Sequence, residues 1–224
     1  MPPADTKNAF GYTLIIPPGW ARIPLREGTQ DAVKRIVDEA AERVSADLPK
    51  DKVADARMEL YRRLNSSVKE AQRRDGVDLY LPVEPMHGYL VAASIVVAKL
   101  DTGLRDGVGR QDVLRQLLAD SDDSEPVEVD GAAGLRKERT MPADPEKGAD
   151  APSKHVEYVV PVPSSSESPA SPASSASSAS SGGDAGWVVV SFTTLGDGNP
   201  EGDFTEILVE LFDAVMTTFR WRTE

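Results

Sequence analysis

The hydrophobic and polar positions are most regular near the end of the chain. Residues 187–194 (Trp-Val-Val-Val-Ser-Phe-Thr-Thr) are rich in β-branched and aromatic side chains and lie between Gly186 and Gly196, which predicts a central, mostly buried strand. After this strand, apolar residues recur every three or four positions, at Phe204, Ile207, Leu208, Leu211, Phe212, Val215, Met216 and Phe219. This spacing predicts an amphipathic helix whose apolar face is wide enough to cover a sheet.

Two more amphipathic helices are predicted in the first third of the chain. One begins at Thr29, the expected N-cap, and carries its apolar face on Val33, Ile36, Val37, Ala40, Ala41 and Val44. The other runs from about Asp51 to Arg74, with Gly76 as its stop signal. A third, shorter helix is predicted over residues 110–118 from its leucine and valine spacing.

Most of the remaining segments predict strands that come in hairpins. Pro17-Pro18-Gly19 is a turn signal, so we expect residues 10–16 and 20–25 to pair across it. Further strands are predicted at 77–83, 89–99 and 156–162, and a polar hairpin near the sheet edge at 127–129 and 134–140. The strand at 89–99 is apolar on both sides of its pleat, which is typical of a strand covered on both faces.

A serine-rich tract interrupts the last part of the chain. Residues 163–183 are dominated by serine, alanine and proline, which cannot bury enough apolar area to offset the entropy of ordering a chain. We predict a disordered insertion inside one hairpin, because both flanking stretches are strand-like. With a disordered N-terminus at 1–8, residues 9–224 are then a single domain, since the part after the tract is too small to fold alone. An interdomain linker is the alternative.

Charge and composition exclude several classes of function. The chain of 224 residues has 37 acidic and 25 basic side chains, a net charge of -12, so neither nucleic acid nor an anionic membrane is expected as a partner. The absence of cysteine excludes disulfides and thiolate chemistry. No apolar run reaches the ~20 residues that span a bilayer, and no secretory signal is visible. A cytoplasmic protein without integral membrane association is therefore expected.

Three features invite a catalytic or ligand-binding interpretation, but none completes a motif. His87 and His155 lie in different segments and have no patterned neighbours. The acidic stretch 120–125 lacks the glycine and glutamate of a calcium loop. The glycine-rich stretch 103–109 matches neither a P-loop nor a dinucleotide fingerprint. We therefore expect no cofactor, no bound metal and no enzymatic activity.

The helix predicted to end at Arg74 carries the most basic surface of this acidic chain. Its basic residues are Arg57, Arg62, Arg63, Lys69, Arg73 and Arg74. A solvated face, with Glu59 and Glu70 nearby, is the simplest explanation. The alternative is a docking surface for an acidic protein partner, with contact residues at Arg62, Arg63, Arg73 and Arg74.

Two stretches carry a resemblance to a known superfamily. Residues 10–20 (Phe-Gly-Tyr-Thr-Leu-Ile-Ile-Pro-Pro-Gly-Trp) are similar to the opening hairpin of the PsbP/MOG-type α/β/α sandwich superfamily, and the helix over 204–221 resembles its final helix. The resemblance implies an α+β fold with a central, mainly antiparallel sheet flanked by helices on both faces. The superfamily includes photosystem extrinsic subunits, a nuclear-import factor that binds a small GTPase, and bacterial proteins encoded near secretion systems. The helical pair 29–74 and the serine tract have no counterpart in it.

These observations favour a non-catalytic adaptor or accessory protein that acts through contacts with an unidentified protein partner. A link to a bacterial secretion system is a further expectation from the resemblance. Two alternatives stay open. A hydrolase could assemble a site from distant segments, pairing His87 or His155 with a carboxylate. A small-ligand-binding domain would place Trp20 or Trp187 in the wall of a large pocket.

Overall fold

A computed structural model describes residues 11–44, 49–86, 88–89, 91–100, 115, 123–145, 150–163 and 186–222. The helices with described bounds are α1 (Thr29–Val44), α2 (Lys50–Arg73) and α3 (Asp203–Thr217). The strands are β1 (Gly11–Thr13), β2 (Trp20–Pro24), β3 (Gly76–Pro82), β4 (Ala93–Leu100), β5 (Ser124–Val129), β6 (Ala132–Met141), β7 (Ser153–Pro161), β8 (Trp187–Thr194) and β9 (Arg220–Arg222).

Seven strands form one antiparallel sheet in the order β2-β3-β4-β8-β7-β6-β5. The prediction that residues 187–194 form a central strand is confirmed, because β8 pairs with β4 on one side and with β7 on the other. Phe192 lies opposite Ile95 of β4 and opposite Val156 of β7. The segment that follows the serine tract is therefore the middle of the sheet.

The predicted fold class is wrong. A helix-flanked α/β/α sandwich was expected, whereas the described chain is mainly β, with a seven-stranded sheet, a two-stranded sheet and three helices. The helices cover only parts of the sheet: α1 and α2 pack on each other and against β2 and β3, and α3 packs against β8. Periodicity identifies an amphipathic helix, but it does not tell how much of a wide sheet that helix covers.

Two hydrophobic clusters lie on opposite faces of the sheet. Because successive residues of a strand point to opposite faces, Leu79 of β3 packs among residues of α1 and α2, while the neighbouring Tyr80 packs in the cluster that contains α3. Phe192 and Phe212 stack in this second cluster with ring centroids 4.9 Å apart. The helices α2 and α3 are thus held on different sides of the sheet.

The predicted N-terminal hairpin is wrong. β1 pairs with β9, and β2 pairs with β3, so the segments on either side of the Pro-Pro-Gly turn have different partners. Gly19 adopts a φ of 81°, which a glycine tolerates without strain. The turn therefore separates β1 from β2, and the first and last described strands form a small sheet of their own.

The polar hairpin predicted from residues 127–140 is confirmed as β5 and β6, with β5 at the sheet edge. Asp130 and Gly131 have φ values of 50° and 75°, the two positive values that a two-residue type I′ turn requires. Pro126 lies in the edge strand, where a missing N–H costs no ladder hydrogen bond on the solvent side.

The bounds of α1 and α2 agree with the predictions to within one residue at the predicted ends, but the capping differs. α1 begins at Thr29, but Thr29 Oγ1 is buried and has no hydrogen-bond partner among the described residues, so it is not the predicted cap. α2 ends at Arg73, and the residue with a left-handed backbone after it is Asp75, with a φ of 55°, rather than the predicted stop signal Gly76. Gly76 is needed for another reason: a Cβ there would lie 2.6 Å from the Ala71 carbonyl oxygen.

Several predictions fall outside the described residues. These are the N-terminus at 1–8, His87, the helix over 110–118 except for residue 115, and the serine tract at 163–183 except for Pro163. No helix in the described ranges is both long and apolar enough to cross a bilayer.

Candidate functional site

The four predicted contact residues lie on the solvent side of α2. The side chains of Arg62, Arg63, Arg73 and Arg74 are 70–75% exposed. The opposite side of the helix, at Leu64, Val68 and Ala71, is buried in the cluster shared with α1 and β3. The structure therefore leaves the four guanidinium groups free of any packing role.

Each pair of arginines shares one glutamate of the same helix. Arg62 donates to Glu59 Oε2 from Nε and to Glu59 Oε1 from Nη2, both at 2.8 Å, and Arg63 Nε donates to Glu59 Oε1 at 2.6 Å. In the same way, Arg73 Nη1 and Arg74 Nε donate to Glu70 at 3.3 and 3.1 Å. Two cations and one anion leave a net charge of +1 on each cluster.

The two clusters are copies of one sequence pattern. Glu-x-x-Arg-Arg occurs at 59–63 and again at 70–74, eleven residues later. We call these ten positions the arginine repeat. Eleven residues make about three helical turns, so the copies lie on the same side of α2, roughly 16 Å apart. The four arginines were predicted as contact residues, but the repeat was not recognised, although both copies can be found in the sequence alone.

The hydrogen bonds within the first cluster fix its charge. The bonds from Arg62 and then Arg63 lower the pKa of Glu59 from 4.5 to about 2. The same contact with Glu59 raises the pKa of Arg62. Glu59 is therefore ionised at any pH near neutrality, and each arginine keeps N–H donors that Glu59 does not use.

Arg57, the first basic residue of this face, is used within the fold. Arg57 forms an ion pair with Asp38 of α1. Nearby, the Tyr61 hydroxyl donates to Gln30 Oε1 and Gln30 Nε2 donates to Asn65 Oδ1, both at 3.1 Å. These contacts hold α2 against α1, and the four arginines of the repeat take no part in them.

His155 belongs to a chain of hydrogen bonds across β7 and β8. Its Nδ1 lies 2.8 Å from Thr193 Oγ1, and its Nε2 lies 2.9 Å from Glu157 Oε1. The contact with His155 lowers the pKa of Glu157. The hydrolase alternative paired His87 or His155 with an unspecified carboxylate. Because alternate residues of a strand share a face, Glu157 could have been named as the partner of His155.

A hydroxyl, an imidazole and a carboxylate in contact have the composition of a general acid–base site. The His155 side chain, however, is only 12% exposed and that of Glu157 is 23% exposed. The open cleft of about 480 Å³ at the β5 edge is lined by other residues, namely Asp123, Ser124, Glu125, Arg136, Glu138, Arg139, Thr140 and Lys154. His155 does not line this cleft, although Arg139, which does, lies 3.7 Å from Glu157 through its Nη2.

A network of ion pairs lines the cleft and joins the sheet to α3. Glu138 accepts one hydrogen bond from Arg136 at 2.7 Å and contacts Lys154 Nζ at 2.8 Å, while Arg136 also binds Asp213 of α3. Burial alone would raise the pKa of Glu138, but the bonds from Lys154 and Arg136 outweigh it and lower the pKa. Because its cations are already paired with carboxylates, we interpret the network as a contact that fixes α3.

Among the residues that the structure describes, the two tryptophans proposed for a ligand pocket line no large cavity. Trp187 is buried and packs with Leu135 and Val159. Trp20 borders an apolar recess of about 10 Å³, which is no larger than the space one water needs. Neither tryptophan therefore marks a small-molecule site of the predicted kind.

No protein-family model and no curated protein matches this chain. The resemblance to the PsbP/MOG superfamily stays an expectation, and the sandwich that it implied is not the observed architecture. Across the residues that the structure describes, no group of three or more His, Cys, Asp or Glu side chains could hold a metal ion.

Proposed function

We propose that this protein is a non-catalytic adaptor that binds an acidic segment of a protein partner through the arginine repeat. The observation that carries the proposal is the double occurrence of Glu-x-x-Arg-Arg on one side of α2. All four guanidinium groups are exposed, and among the described residues they form ion pairs only with Glu59 and Glu70 of the same helix. A guanidinium presents a planar fork of donors that suits a carboxylate.

The spacing defines the partner's chemistry. A segment fits if it presents two carboxylate groups roughly 16 Å apart, as an acidic helix with the same eleven-residue interval would. Each group would meet one Arg-Arg cluster, and two linked contacts bind more tightly than either one alone. The expectations of a cytoplasmic location and of a link to bacterial secretion rest on the sequence and stay part of this proposal.

Affinity capture with charge-reversed variants tests the proposal. The test variant is Arg62→Glu with Arg73→Glu, which changes both copies of the repeat. The matched control is Arg26→Glu with Arg35→Glu, two exposed arginines outside the repeat, because it changes the net charge by the same amount. We expect a stoichiometric partner on the wild type and on the control, and its loss from the test variant. A partner retained equally by all three proteins would refute the arginine-repeat interface.

A hydrolase is the second candidate, and one observation favours it. His155 contacts both Glu157 and Thr193 at hydrogen-bond distance, so an imidazole is oriented by an acid beside a hydroxyl. Hydrolysis of an activated ester, compared between the wild type and His155→Gln, separates the candidates. A rate that falls to background in the variant would favour the hydrolase, and equal rates would remove it.

A further inference from the structure

A strip of exposed apolar side chains follows one side of α3. Tyr89 is 69% exposed and Ile207 is 58% exposed, and both lie beside half-buried Phe204. The Tyr89 and Phe204 ring centroids are 6.4 Å apart, and Ile207 is one helical turn beyond Phe204. Leu211, a further turn along, is also half-buried. We call Tyr89, Phe204, Ile207 and Leu211 the apolar strip.

The surface on the other side of Ile207 is acidic. Asp203 and Glu210 lie four residues before and three residues after Ile207 and are exposed, so both neighbour it on the helix. α3 contains no lysine or arginine. Neither Asp203 nor Glu210 forms an ion pair with another described residue, whereas Asp213 of the same helix is bound to Arg136. The apolar strip is thus bordered by two carboxylates that form no ion pair within the described part of the chain.

We propose that this surface binds an amphipathic helix of a partner protein that carries lysine or arginine beside its apolar face. The apolar strip would take the aliphatic side chains, as in other helix-in-groove complexes. The carboxylates of Asp203 and Glu210 would bind the cations. The chain's net charge of -12 attracts a basic segment at long range and speeds its association.

A second copy of this chain is a poorer occupant of the same surface. In a two-fold symmetric dimer the same patch meets itself, so Asp203 and Glu210 of both copies would come together. Like charges placed against each other in an interface disfavour it. The charge of the strip's border therefore selects a basic partner rather than self-association.

This surface is independent of the arginine repeat. α2 and α3 pack in different clusters on opposite faces of the sheet. An adaptor with both surfaces would hold an acidic segment on one side and a basic segment on the other. Because different residues carry the two surfaces, loss of one interaction leaves the other measurable.

A peptide-display selection on the full chain tests the proposal. The library contains random peptides of about 16 residues, long enough to form four helical turns. We expect the selected sequences to place Leu, Ile or Phe at three- and four-residue intervals with Lys or Arg beside them. Their affinity should fall about tenfold or more in Ile207→Asp and in the double variant Asp203→Lys with Glu210→Lys.

The matched control is Met58→Asp, which places the same charge at an apolar residue of α2 that is 71% exposed. It should leave peptide affinity unchanged, and equal thermal unfolding midpoints would show that all variants are folded. The proposal is overturned if no peptide is enriched, if the enriched peptides are acidic, or if they bind Ile207→Asp as tightly as the wild type. A concentration-dependent dimer that Ile207→Asp abolishes would also overturn it, because the strip would then be a self-interface.

Discussion

Arg136 of β6 and Asp213 of α3 form an ion pair with two parallel hydrogen bonds. Arg136 Nε donates to Asp213 Oδ1 at 3.0 Å, and Nη2 donates to Oδ2 at 2.9 Å. The Tyr158 hydroxyl donates to Asp213 Oδ1 at 2.8 Å. Burial and then this hydrogen bond raise the pKa of Tyr158, which keeps its proton. One carboxylate therefore ties α3 to two strands of the sheet.

Removal of this carboxylate should destabilise the fold. In Asp213→Ala the mostly buried Arg136 guanidinium loses the carboxylate that accepts two of its hydrogen bonds. We expect the free energy of unfolding in urea to fall by about 2 kcal/mol. Asp203→Ala is the control, because Asp203 is exposed and forms no ion pair with a described residue. Its expected change is within about 0.5 kcal/mol. Equal changes in both variants would mean that Asp213 does not anchor α3.

The contacts of Glu138 predict a pH dependence of stability. The pKa of Glu138 is lower in the folded protein because the bonds from Lys154 and Arg136 outweigh the effect of burial. A carboxylate of this kind stabilises the fold above its unfolded pKa and loses that contribution as the pH falls through its folded pKa. The stability difference between the wild type and Glu138→Gln should therefore shrink below about pH 4. Denaturant unfolding at several pH values measures it, and a pH-independent difference would contradict the account.

A buried aspartate should hold the small sheet against the large one. Asp78 accepts hydrogen bonds from Arg22 Nε at 2.7 Å, from Arg22 Nη2 at 3.0 Å and from the Tyr12 hydroxyl of β1. We expect Tyr12→Phe to lower the free energy of unfolding by about 1 kcal/mol and Asp78→Ala by about 2–3 kcal/mol. Tyr89→Phe, at an exposed tyrosine, is the control and should change little. A loss in Tyr12→Phe no larger than in the control would exclude this role.

The arginine repeat makes a prediction about the protonation of Glu59. Its pKa of about 2 depends on hydrogen bonds from Arg62 and Arg63. In the double variant Arg62→Gln with Arg63→Gln, the pKa of Glu59 should rise toward the ordinary value of 4.5. An NMR titration of the Glu59 side-chain carbon measures both midpoints. A wild-type midpoint already near the ordinary value would mean that the cluster is not formed in solution.

Regular periodicity was enough to predict the centre of the fold. The strand from Trp187 to Thr194, rich in apolar and β-branched residues, is paired on both sides. The regularly spaced apolar residues of α3 pack against it. The exposed positions of the four arginines on α2 followed from the same kind of pattern. Both features are local, because each depends on residues within one element.

Features that depend on distant partners were not predicted. β9 has only three residues, too few for a periodic signal, so the pairing of β1 with β9 was missed and a local hairpin was expected instead. The ion pair between Arg136 and Asp213 joins residues far apart in sequence and needed the strand order to be known. The fold class was wrong for a related reason: strand order and helix placement are tertiary properties.

The most direct test of the proposed adaptor function compares two synthetic acidic helices. One carries Glu-Glu pairs eleven residues apart, and the other carries them seven residues apart, on the same side but only about 10 Å from each other. Fluorescence anisotropy should show that the peptide with the eleven-residue spacing binds about fivefold or more tightly than the other. This preference should vanish in Arg73→Glu, which keeps only one intact cluster. Equal affinity for both peptides, or a preference that persists in Arg73→Glu, would contradict the account.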